Sequence, residues 1–239
     1  MSLPEITGYA WDYRKGELIE LHRHEEHQIV HAASGVMRVS SGAGTWVIPP
    51  GRALWMPARM EHQIYCLTAV STRTVYLAGA LPWLPSHCEV WRISHLLREI
   101  IIRFADEPAP ALADHLAALL LGELERLDTE PIILRQVHAA PLVKIQAALL
   151  ADPADKRGLA DWANQVGAAP RTLMRRLREE TGSTFRQWRR QIRMLKATEA
   201  LAAGTPVTTV AFEVGYETTS AFIEAFRETM GTTPARYFD

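Results

Sequence analysis

Two copies of one pattern decide the fold of this chain: LADWANQVGAAPRTLMRRLREETG, Leu159 to Gly182, and VTTVAFEVGYETTSAFIEAFRETMG, Val207 to Gly231. Each copy has a short apolar-periodic segment, a turn built on glycine and a second helical segment that ends near Thr-Gly or Met-Gly. Val166-Gly167 of the first copy aligns with Val214-Gly215 of the second. Two steeply crossed helices joined by a turn that contains glycine are typical of a helix-turn-helix, whose second helix enters the major groove of DNA. The repeat therefore predicts two such units in tandem.

Positive charge is concentrated in the first copy and in the segment that follows it. From Lys156 to Lys196 there are 11 basic residues against 3 acidic ones, a net +8, whereas the whole chain carries only −1. A basic stripe on a near-neutral protein is the electrostatic signature of a phosphate-binding face. The charge favours a DNA-binding domain over the alternative, a small helical bundle whose apolar periodicity only builds a core.

Length and composition indicate an ordinary globular protein. With 239 residues, 48% of them hydrophobic and 22% charged, the chain is long enough for one or two domains with a core in each. No run approaches the roughly 18–20 uncharged apolar residues that span a bilayer. The N-terminus carries charge where a signal peptide needs an apolar core, and Cys66 and Cys88 have no metal-type spacing. We therefore expect a cytoplasmic protein with free thiols.

The chain changes character twice, which predicts an α+β protein of two domains joined by a helical linker. Short β-rich runs punctuated by glycine and proline fill residues 1–88 and predict a small barrel or jelly roll. Residues 89–138 have apolar residues at helical spacing, broken at DEPAPA, Asp106 to Ala111, and residues 139–239 have the pattern of helices only. The predicted strands are Gln28–Ala33, Val36–Ser40, Thr45–Ile48, Ala53–Met56 and Thr74–Ala78.

The leucines of the linker, from Leu112 to Leu127, support two interpretations. In one, a helix with apolar residues at this spacing packs as a spacer against the barrel. In the other, an exposed leucine stripe forms the interface of a homodimer, because the apolar face is wider than a lone spacer helix needs. Both interpretations stay open on the sequence.

Capping residues and prolines indicate where the C-terminal helices begin. Thr184 followed by Gln187 is a capping box for a long helix, Phe185–Ala202. Thr205-Pro206 places a capping hydroxyl before a proline at the first helical position of the next helix. Ala169-Pro170 opens the second helix of the first copy with proline in the right place but without a capping side chain.

The C-terminal part of the chain resembles the AraC/XylS family of bacterial transcriptional regulators through the stretch QWRRQIRMLKATEALAAGTPVTTVAFEVGYETTSAFIEAFRETMGTTPARYF. The resemblance covers about Pro141 to Phe238. It implies two helix-turn-helix units joined by a rigid central helix, here Phe185–Ala202, which places two recognition helices in successive major grooves on one face of the DNA. Contacts made by two units at a fixed spacing add without the entropic cost of ordering a flexible linker.

The resemblance also implies which side chains face DNA. Two positions of each recognition helix face the core, Leu173 and Leu177 in the first and Phe222 and Phe226 in the second. An arginine on the groove-facing side binds guanine O6 and N7, and arginines off that side bind phosphate. The glutamate on the second helix is repelled by phosphates unless it accepts from cytosine N4, so the second unit is expected to contribute less affinity. The residues predicted to contact DNA are Arg171, Met174, Arg175, Arg176, Arg189, Arg190, Thr219, Ser220, Ile223 and Glu224.

The N-terminal segment has two motifs with the spacing of a cupin barrel. The first consists of a glycine, two histidines, a glutamine and a second glycine, at Gly16, His22, His24, Gln28 and Gly35. The second consists of a glycine, a proline and a histidine, at Gly51, Pro57 and His62. The resemblance to a cupin sensor domain, as found in a subset of AraC-type regulators, covers roughly Leu18 to Leu81.

Metal-binding cupins hold one divalent ion inside the barrel with three histidines and a carboxylate. The resemblance implies His22, His24 and His62 as ligands, with His22 and His24 alternating on one strand face and His62 coming from the opposing hairpin. Gln28 stands in place of the acidic ligand as a weaker neutral donor, and Arg59 stands where the motif has a glycine. Neutral imidazoles suit zinc, nickel, copper or iron, and Zn, Ni or Fe is the expected cofactor. The alternative is an organic-ligand pocket lined by the same histidines.

Three functions fit these features. The leading hypothesis is a sequence-specific transcriptional regulator, not an enzyme, whose barrel senses a small molecule or a metal ion. The second is a cupin metal-dependent enzyme with an accessory helical domain, which Gln28 weakens. The third is an architectural DNA binder with a degenerate barrel. The expected partners are a double-stranded DNA operator, a small-molecule effector and a second copy of the chain in a homodimer, with no membrane.

Overall fold

A computed structural model of the chain describes residues 4–79, 81–106, 108–125, 127, 129–130 and 134–238. The chain divides into two compact units. The first unit contains residues 1–42, 47–131 and 237–239, and the second contains residues 43–46 and 132–236. Strands dominate the first unit and helices the second, as the α+β prediction requires.

The N-terminal half of the chain is an antiparallel sandwich of two sheets. Its strands are β1 (Ile6–Tyr13), β2 (Leu18–His22), β3 (His27–Ser34), β4 (Met37–Ser41), β5 (Gly44–Ile48), β6 (Arg52–Met56), β7 (His62–Cys66), β8 (Val70–Leu77), β9 (Glu89–Arg92), β10 (Thr129–Glu130) and β11 (Leu134–Arg135). One sheet has the strand order β1-β8-β3-β6-β9-β10 and the other the order β11-β5-β4-β7-β2. This double sheet is the fold class that the strand pattern predicted.

The five predicted strands are present as β3 to β6 and β8. Their ends agree within one residue, except that β8 begins four residues earlier, at Val70. The sequence pattern missed β1, in which a glycine and two exposed aromatic side chains interrupt the alternation. A Cβ at Gly8 would lie 2.4 Å from the backbone carbonyl carbon of Phe104, so this strand needs glycine because the helix His95–Ala105 packs directly on it.

The linker helices, α1 (His95–Ala105) and α2 (Pro110–Leu124), belong to the first unit. Ser94 caps α1, because its Oγ accepts a hydrogen bond from the backbone N–H of Leu97 at 3.0 Å. The buried faces of both helices join a core with the six-stranded sheet that includes Ile29 and Trp55. Leu116, Leu120 and Leu124 pack into this core, as the spacer interpretation requires. Leu112 and Leu119 stay 39% and 49% exposed, so part of the leucine stripe faces solvent.

The second unit consists mainly of helices: α3 (Ala140–Ala151), α4 (Leu159–Val166), α5 (Pro170–Thr181), α6 (Phe185–Ala202), α7 (Val207–Glu213), α8 (Thr219–Met230) and a 3-10 turn at Pro234–Arg236. The central helix α6 has the predicted bounds and the predicted capping box. Thr184 Oγ1 accepts from the backbone N–H of Gln187 at 3.3 Å, and Gln187 Oε1 accepts from that of Thr184 at 2.9 Å. Among the described residues, no helix is long and apolar enough to cross a membrane.

The predicted start of α7 was wrong by one residue. The helix begins at Val207, Pro206 occupies the N-cap position, and no side chain caps it. Pro206 has φ −58° and ψ 141°, which is extended rather than helical backbone, so the helix begins only after the proline. Thr205 therefore lies one position too early for its hydroxyl to cap the helix.

Candidate DNA interface and candidate metal centre

Each helix-turn-helix unit turns on a glycine in the left-handed region. Gly167 follows α4 with φ 69°, and Gly215 follows α7 with φ 84°. Gly182 and Gly231 end the second helix of each unit with φ 71° and 73°. The aligned glycines of the two copies thus occupy equivalent positions, and α5 and α8 are the helices predicted to be the recognition helices.

On α5 the predicted core and surface positions separate cleanly. Leu173 and Leu177 are fully buried, whereas Arg171, Met174 and Arg175 are exposed on the other side. Arg176 is exposed as well. Arg175 forms a 2.6 Å ion pair with Glu179 one turn later, and both side chains are more than half exposed. An exposed pair of this kind is worth about 0.3–0.5 kcal/mol, which is too little to hold the guanidinium back from a stronger partner.

On α8 the separation is similar but less complete. Phe222 and Phe226 are fully buried, Ser220 and Glu224 are exposed, and Thr219 and Ile223 are half-buried. The helix is capped by Thr218, whose Oγ1 accepts from the backbone N–H of Ala221 at 3.1 Å. The surface of α8 that remains for a partner is accordingly smaller and less basic than that of α5.

The arginines of the central helix α6 have protein partners that the sequence did not reveal. Arg189 donates to the backbone carbonyl of Arg157 at 3.0 Å. Arg190 donates to the carbonyl of Ala225 at 2.9 Å and forms a 2.5 Å ion pair with Glu228, so it links α6 to α8. Both side chains remain partly exposed. They line a cleft of about 310 Å³ between these helices, together with Arg186, Arg193, Glu224 and Glu228.

The structure brings the three motif histidines of the first unit together. His22 and His62 lie directly opposite each other in the register of β2 and β7. Their ring centroids are 4.2 Å apart, and the ring of His24 lies 4.9 Å from that of His22 and 5.6 Å from that of His62. One ligand nitrogen of each ring lies within 4.8 Å of the other two. The expectation that His24 continues the strand was wrong, because β2 ends at His22 and His24 lies in the loop that follows.

Backbone carbonyls fix the tautomer of two of these rings. His22 Nδ1 lies 2.7 Å from the carbonyl oxygen of Glu20, and His62 Nδ1 lies 3.0 Å from that of Met60. A carbonyl oxygen only accepts, so each Nδ1 carries the proton and each neutral ring presents the lone pair of Nε2. The Nε2 of His62 is buried and has no hydrogen-bond partner among the described residues. This is the arrangement in which metal-binding imidazoles are held.

The environment favours the neutral form of two of the three rings, those of His24 and His62. The pKa of His62 is lowered to about 4, mainly by burial and also by the neighbouring His22 and His24 rings, against the effect of the Met60 carbonyl. Burial, followed by the proximity of His22, also lowers the pKa of His24. Neutral imidazoles at neutral pH have lone pairs to offer, so the donor set fits a borderline divalent ion such as zinc or nickel.

Gln28 and Tyr76 form a polar pair beside the histidines. They face each other across β3 and β8, and Gln28 Nε2 donates to the Tyr76 hydroxyl at 3.1 Å. The hydroxyl lies 3.3 Å from His24 Nε2, which connects Gln28 to the cluster through Tyr76. The Oε1 of Gln28 is buried without a partner in the part of the chain that the structure describes. The role of Tyr76 depends on its cross-strand position, which the motif spacing does not reveal.

Arg59 takes the conformation of the glycine that it replaces in the cupin motif. Its φ is 64°, in the left-handed region that costs a non-glycine residue about 1–2 kcal/mol. Its backbone N–H donates to the carbonyl of His24 at 2.7 Å, and its side chain forms an exposed 2.8 Å ion pair with Glu25. This departure therefore leaves the loop geometry intact and holds His24 in place.

Both units match family models. Residues 3–121 match the AraC-like ligand binding domain, and residues 162–239 match a helix-turn-helix domain. The chain belongs to the AraC family of transcriptional regulators. Its first unit is therefore the ligand-binding domain of an AraC-family regulator, and its second unit is the helix-turn-helix domain.

Relatives of this AraC-family chain are named as transcriptional regulators. It is 29% identical over 222 residues to the HTH-type transcriptional regulator NimR of Escherichia coli, covering 91% of this chain and 81% of NimR. It is 26% identical over 241 residues to the transcriptional activator RhaS of Shigella sonnei, covering 89% and 85%. It also resembles the regulator RipA of Corynebacterium glutamicum, at 34% identity over 39% of this chain and 28% of RipA.

Solved structures include similar chains. A structure of ToxT from Vibrio cholerae is 12% identical, covers 98% of this chain and 97% of its own, and superposes with a TM-score of 0.43. The C-terminal domain of AraT from Geobacillus stearothermophilus is 27% identical, covers 42% of this chain and 84% of its own, and has a TM-score of 0.39.

Proposed function

We propose that this AraC-family regulator recognises a specific DNA sequence with α5 and α8, and that a ligand held at the histidine cluster is its signal. The observation that carries the DNA proposal is the segregation of α5, with two leucines fully buried and Arg171, Met174 and Arg175 exposed. Side chains on one exposed face of a recognition helix can reach base edges in a single groove. The enzyme hypothesis is not carried forward, because the relatives are named as regulators.

Selection from a pool of DNA duplexes with randomised sequence tests DNA recognition. Repeated binding and amplification with the wild-type chain should enrich a site with two sequence elements, one for each recognition helix. The enriched site should bind about 10³-fold or more tightly than random DNA at the same salt concentration. A pool that stays random after repeated rounds would contradict the proposal.

A divalent transition metal is the ligand that we propose for the histidine cluster. His22, His24 and His62 would hold the ion, and its chemistry there would be that of a Lewis acid with an exchangeable position. Three neutral imidazoles leave the full positive charge on the ion, which favours water or an anionic small molecule as a further ligand. The buried lone pair of His62 Nε2 is the observation that supports metal over an all-organic pocket.

Titration of the purified protein with Co²⁺, followed by visible absorption and by competition with Zn²⁺, tests the metal. One ion should bind per chain, and His62→Ala should weaken binding by at least about tenfold. His95→Ala, which removes an exposed histidine outside the cluster, is the matched control and should leave affinity unchanged. Equal metal affinity of wild type and His62→Ala would favour the organic-ligand pocket instead.

A further inference from the structure

Arg193 on the central helix α6 connects both helix-turn-helix units. Its Nε donates to the backbone carbonyl of Pro153 at 2.9 Å. Pro153 lies in the segment between α3 and α4, just before the first helix-turn-helix unit. Its Nη1 donates to the backbone carbonyl of Gly215 at 3.2 Å, in the turn of the second helix-turn-helix unit. The guanidinium also lies over the ring of Tyr216, 5.7 Å from its centroid. One side chain of α6 thus contacts both the segment before α4 and the turn before α8.

The turn of the second helix-turn-helix unit leaves room for this guanidinium. A Cβ at Gly215 would lie 2.7 Å from Arg193 Nη2 and 2.8 Å from Ala154 Cα. At Gly167, the aligned glycine of the first helix-turn-helix unit, the equivalent Cβ position has no heavy atom of the described residues within 4 Å apart from Gly167 and its chain neighbours. Gly167 therefore meets only a backbone requirement, whereas Gly215 also makes room for Arg193 and for the segment before α4. The two copies of the motif differ at this point.

The chemistry of the contact requires arginine. The guanidinium presents several N–H donors in a rigid planar fork, so it reaches two carbonyls that point from different segments. A lysine ammonium is a point donor without that fork. Burial lowers the pKa of Arg193, but an arginine remains charged in proteins, so the donors persist at every physiological pH.

We propose that Arg193 is a positioning residue that fixes the distance and angle between the two recognition helices, and so sets the number of base pairs between the two DNA elements. This inference rests on the proposed DNA-binding function. Arg193 is half-buried by its carbonyl partners and acts on DNA through the turn that precedes α8. Its loss leaves the exposed faces of α5 and α8 chemically unchanged.

The consequence for DNA binding follows from duplex geometry. One inserted base pair moves the second element by about 3.4 Å and rotates it by roughly 35° around the helix axis. A domain held at a fixed spacing cannot follow this displacement and loses contacts from one recognition helix. A domain without the Arg193 contacts can adjust the spacing of its two helix-turn-helix units, at the cost of ordering them when it binds DNA.

The test compares wild type with Arg193→Met, Arg193→Lys and Gly215→Ala in selections from the same randomised duplex pool. The selected sites are then measured with the original gap and with one base pair inserted. Lys196→Met, which removes another basic side chain of α6 that pairs with Glu199, is the control. Circular dichroism and thermal melts of each variant establish that it is folded.

Wild type and Lys196→Met should select two elements at one fixed gap and lose about tenfold or more in affinity when one base pair is inserted. Arg193→Met and Gly215→Ala should select the same elements at a spread of gaps and lose less than about threefold on insertion. Arg193→Lys should not restore the fixed gap. A folded Arg193→Met that keeps the single gap and the full insertion penalty would overturn the inference while leaving DNA recognition standing. Failure of wild type to enrich any sequence would overturn both.

Discussion

Single side chains in this protein have roles that their neighbours decide. Arg175 and Arg190 are both arginines of the basic stripe, and the sequence assigned both to DNA. Among the described residues, the partner of Arg175 is an exposed glutamate of its own helix, whereas Arg190 is tied to a carbonyl and a carboxylate of another helix. We therefore keep base reading as a prediction for Arg175, whereas Arg190 also holds α8 against α6.

Arg175→Ala should weaken binding to the selected DNA site by about 1–3 kcal/mol and relax the preference at one base pair, because a bidentate contact to guanine is lost. Arg178→Ala is the matched control, since Arg178 is an exposed arginine of the same helix away from the groove-facing side. Affinities measured by fluorescence anisotropy on the selected site and on random DNA separate the two effects. An Arg175→Ala chain with the parental ratio of the two affinities would contradict the assignment.

His31 gives the first unit a predictable loss of stability in acid. It is fully buried, its Nδ1–H donates to the carbonyl of Arg52 at 2.9 Å, and burial lowers its pKa from 6.5 to about 4. The unfolded chain takes up a proton near pH 6.5, but the folded chain does so only near pH 4. The stability that His31 contributes is therefore complete above pH 6.5 and falls by about 3 kcal/mol as the pH drops to about 4.

Urea unfolding at several pH values tests this expectation with His31→Leu. Between pH 7 and pH 4 the difference in unfolding free energy between wild type and variant should shift by about 3 kcal/mol in favour of the variant. His95→Leu, at an exposed position, should show no comparable shift. A constant difference across this pH range would contradict the role assigned to His31.

At the scale of elements, local signals and packing decided different features. The capping box of Thr184 and Gln187 fixed the start of α6, because both hydrogen bonds are made within four residues. At α7 a single proline with extended backbone moved the start by one residue. Strand β1 was missed because the contact that explains its Gly8 is made with helix α1, about ninety residues later in the chain.

Helix α2 carries our prediction of a homodimer. Leu112 and Leu119 are seven residues apart on one side of the helix and remain exposed, although Leu116 and Leu120 are buried. Leu119→Glu should convert a dimer into a monomer at micromolar concentration, because a carboxylate would be buried in an apolar interface. Ala118→Glu, at an exposed position about 100° around the helix from Leu119, is the control. Sedimentation that finds wild type monomeric would show that the exposed leucines serve no dimer.

At the scale of the whole molecule, affinity for DNA should depend on salt through the arginines of α6. Arg189→Ala should weaken binding to all DNA about equally and reduce the slope of log K against log salt by about 1, because one phosphate contact is lost. Lys15→Ala, an exposed charge in the first unit, is the control and should leave the slope unchanged. Arg190→Ala should cost more on the selected site than on random DNA, because it also frees α8. A slope that Arg189→Ala leaves unchanged would remove Arg189 from the interface.

The sequence by itself determined the α+β class, the two helix-turn-helix units, the bounds of α6 and the buried positions of both recognition helices. These features follow from periodicity, turn glycines and caps, which act within a few residues and are therefore visible in the chain. The spacing of His22, His24 and His62 also indicated a cluster, because it matches the cupin motifs, in which histidines from two separate strands meet inside the barrel.

Tertiary structure alone decided the features that depend on residues distant in sequence. The pairing of β2 with β7 places His22 opposite His62, and the pairing of β3 with β8 brings Tyr76 to Gln28. Likewise, the link from Arg190 to Ala225 spans 35 residues and that from Arg193 to Pro153 spans 40. No local pattern records such contacts, because a hydrogen bond between distant segments depends on the packing of whole elements rather than on the residues beside it.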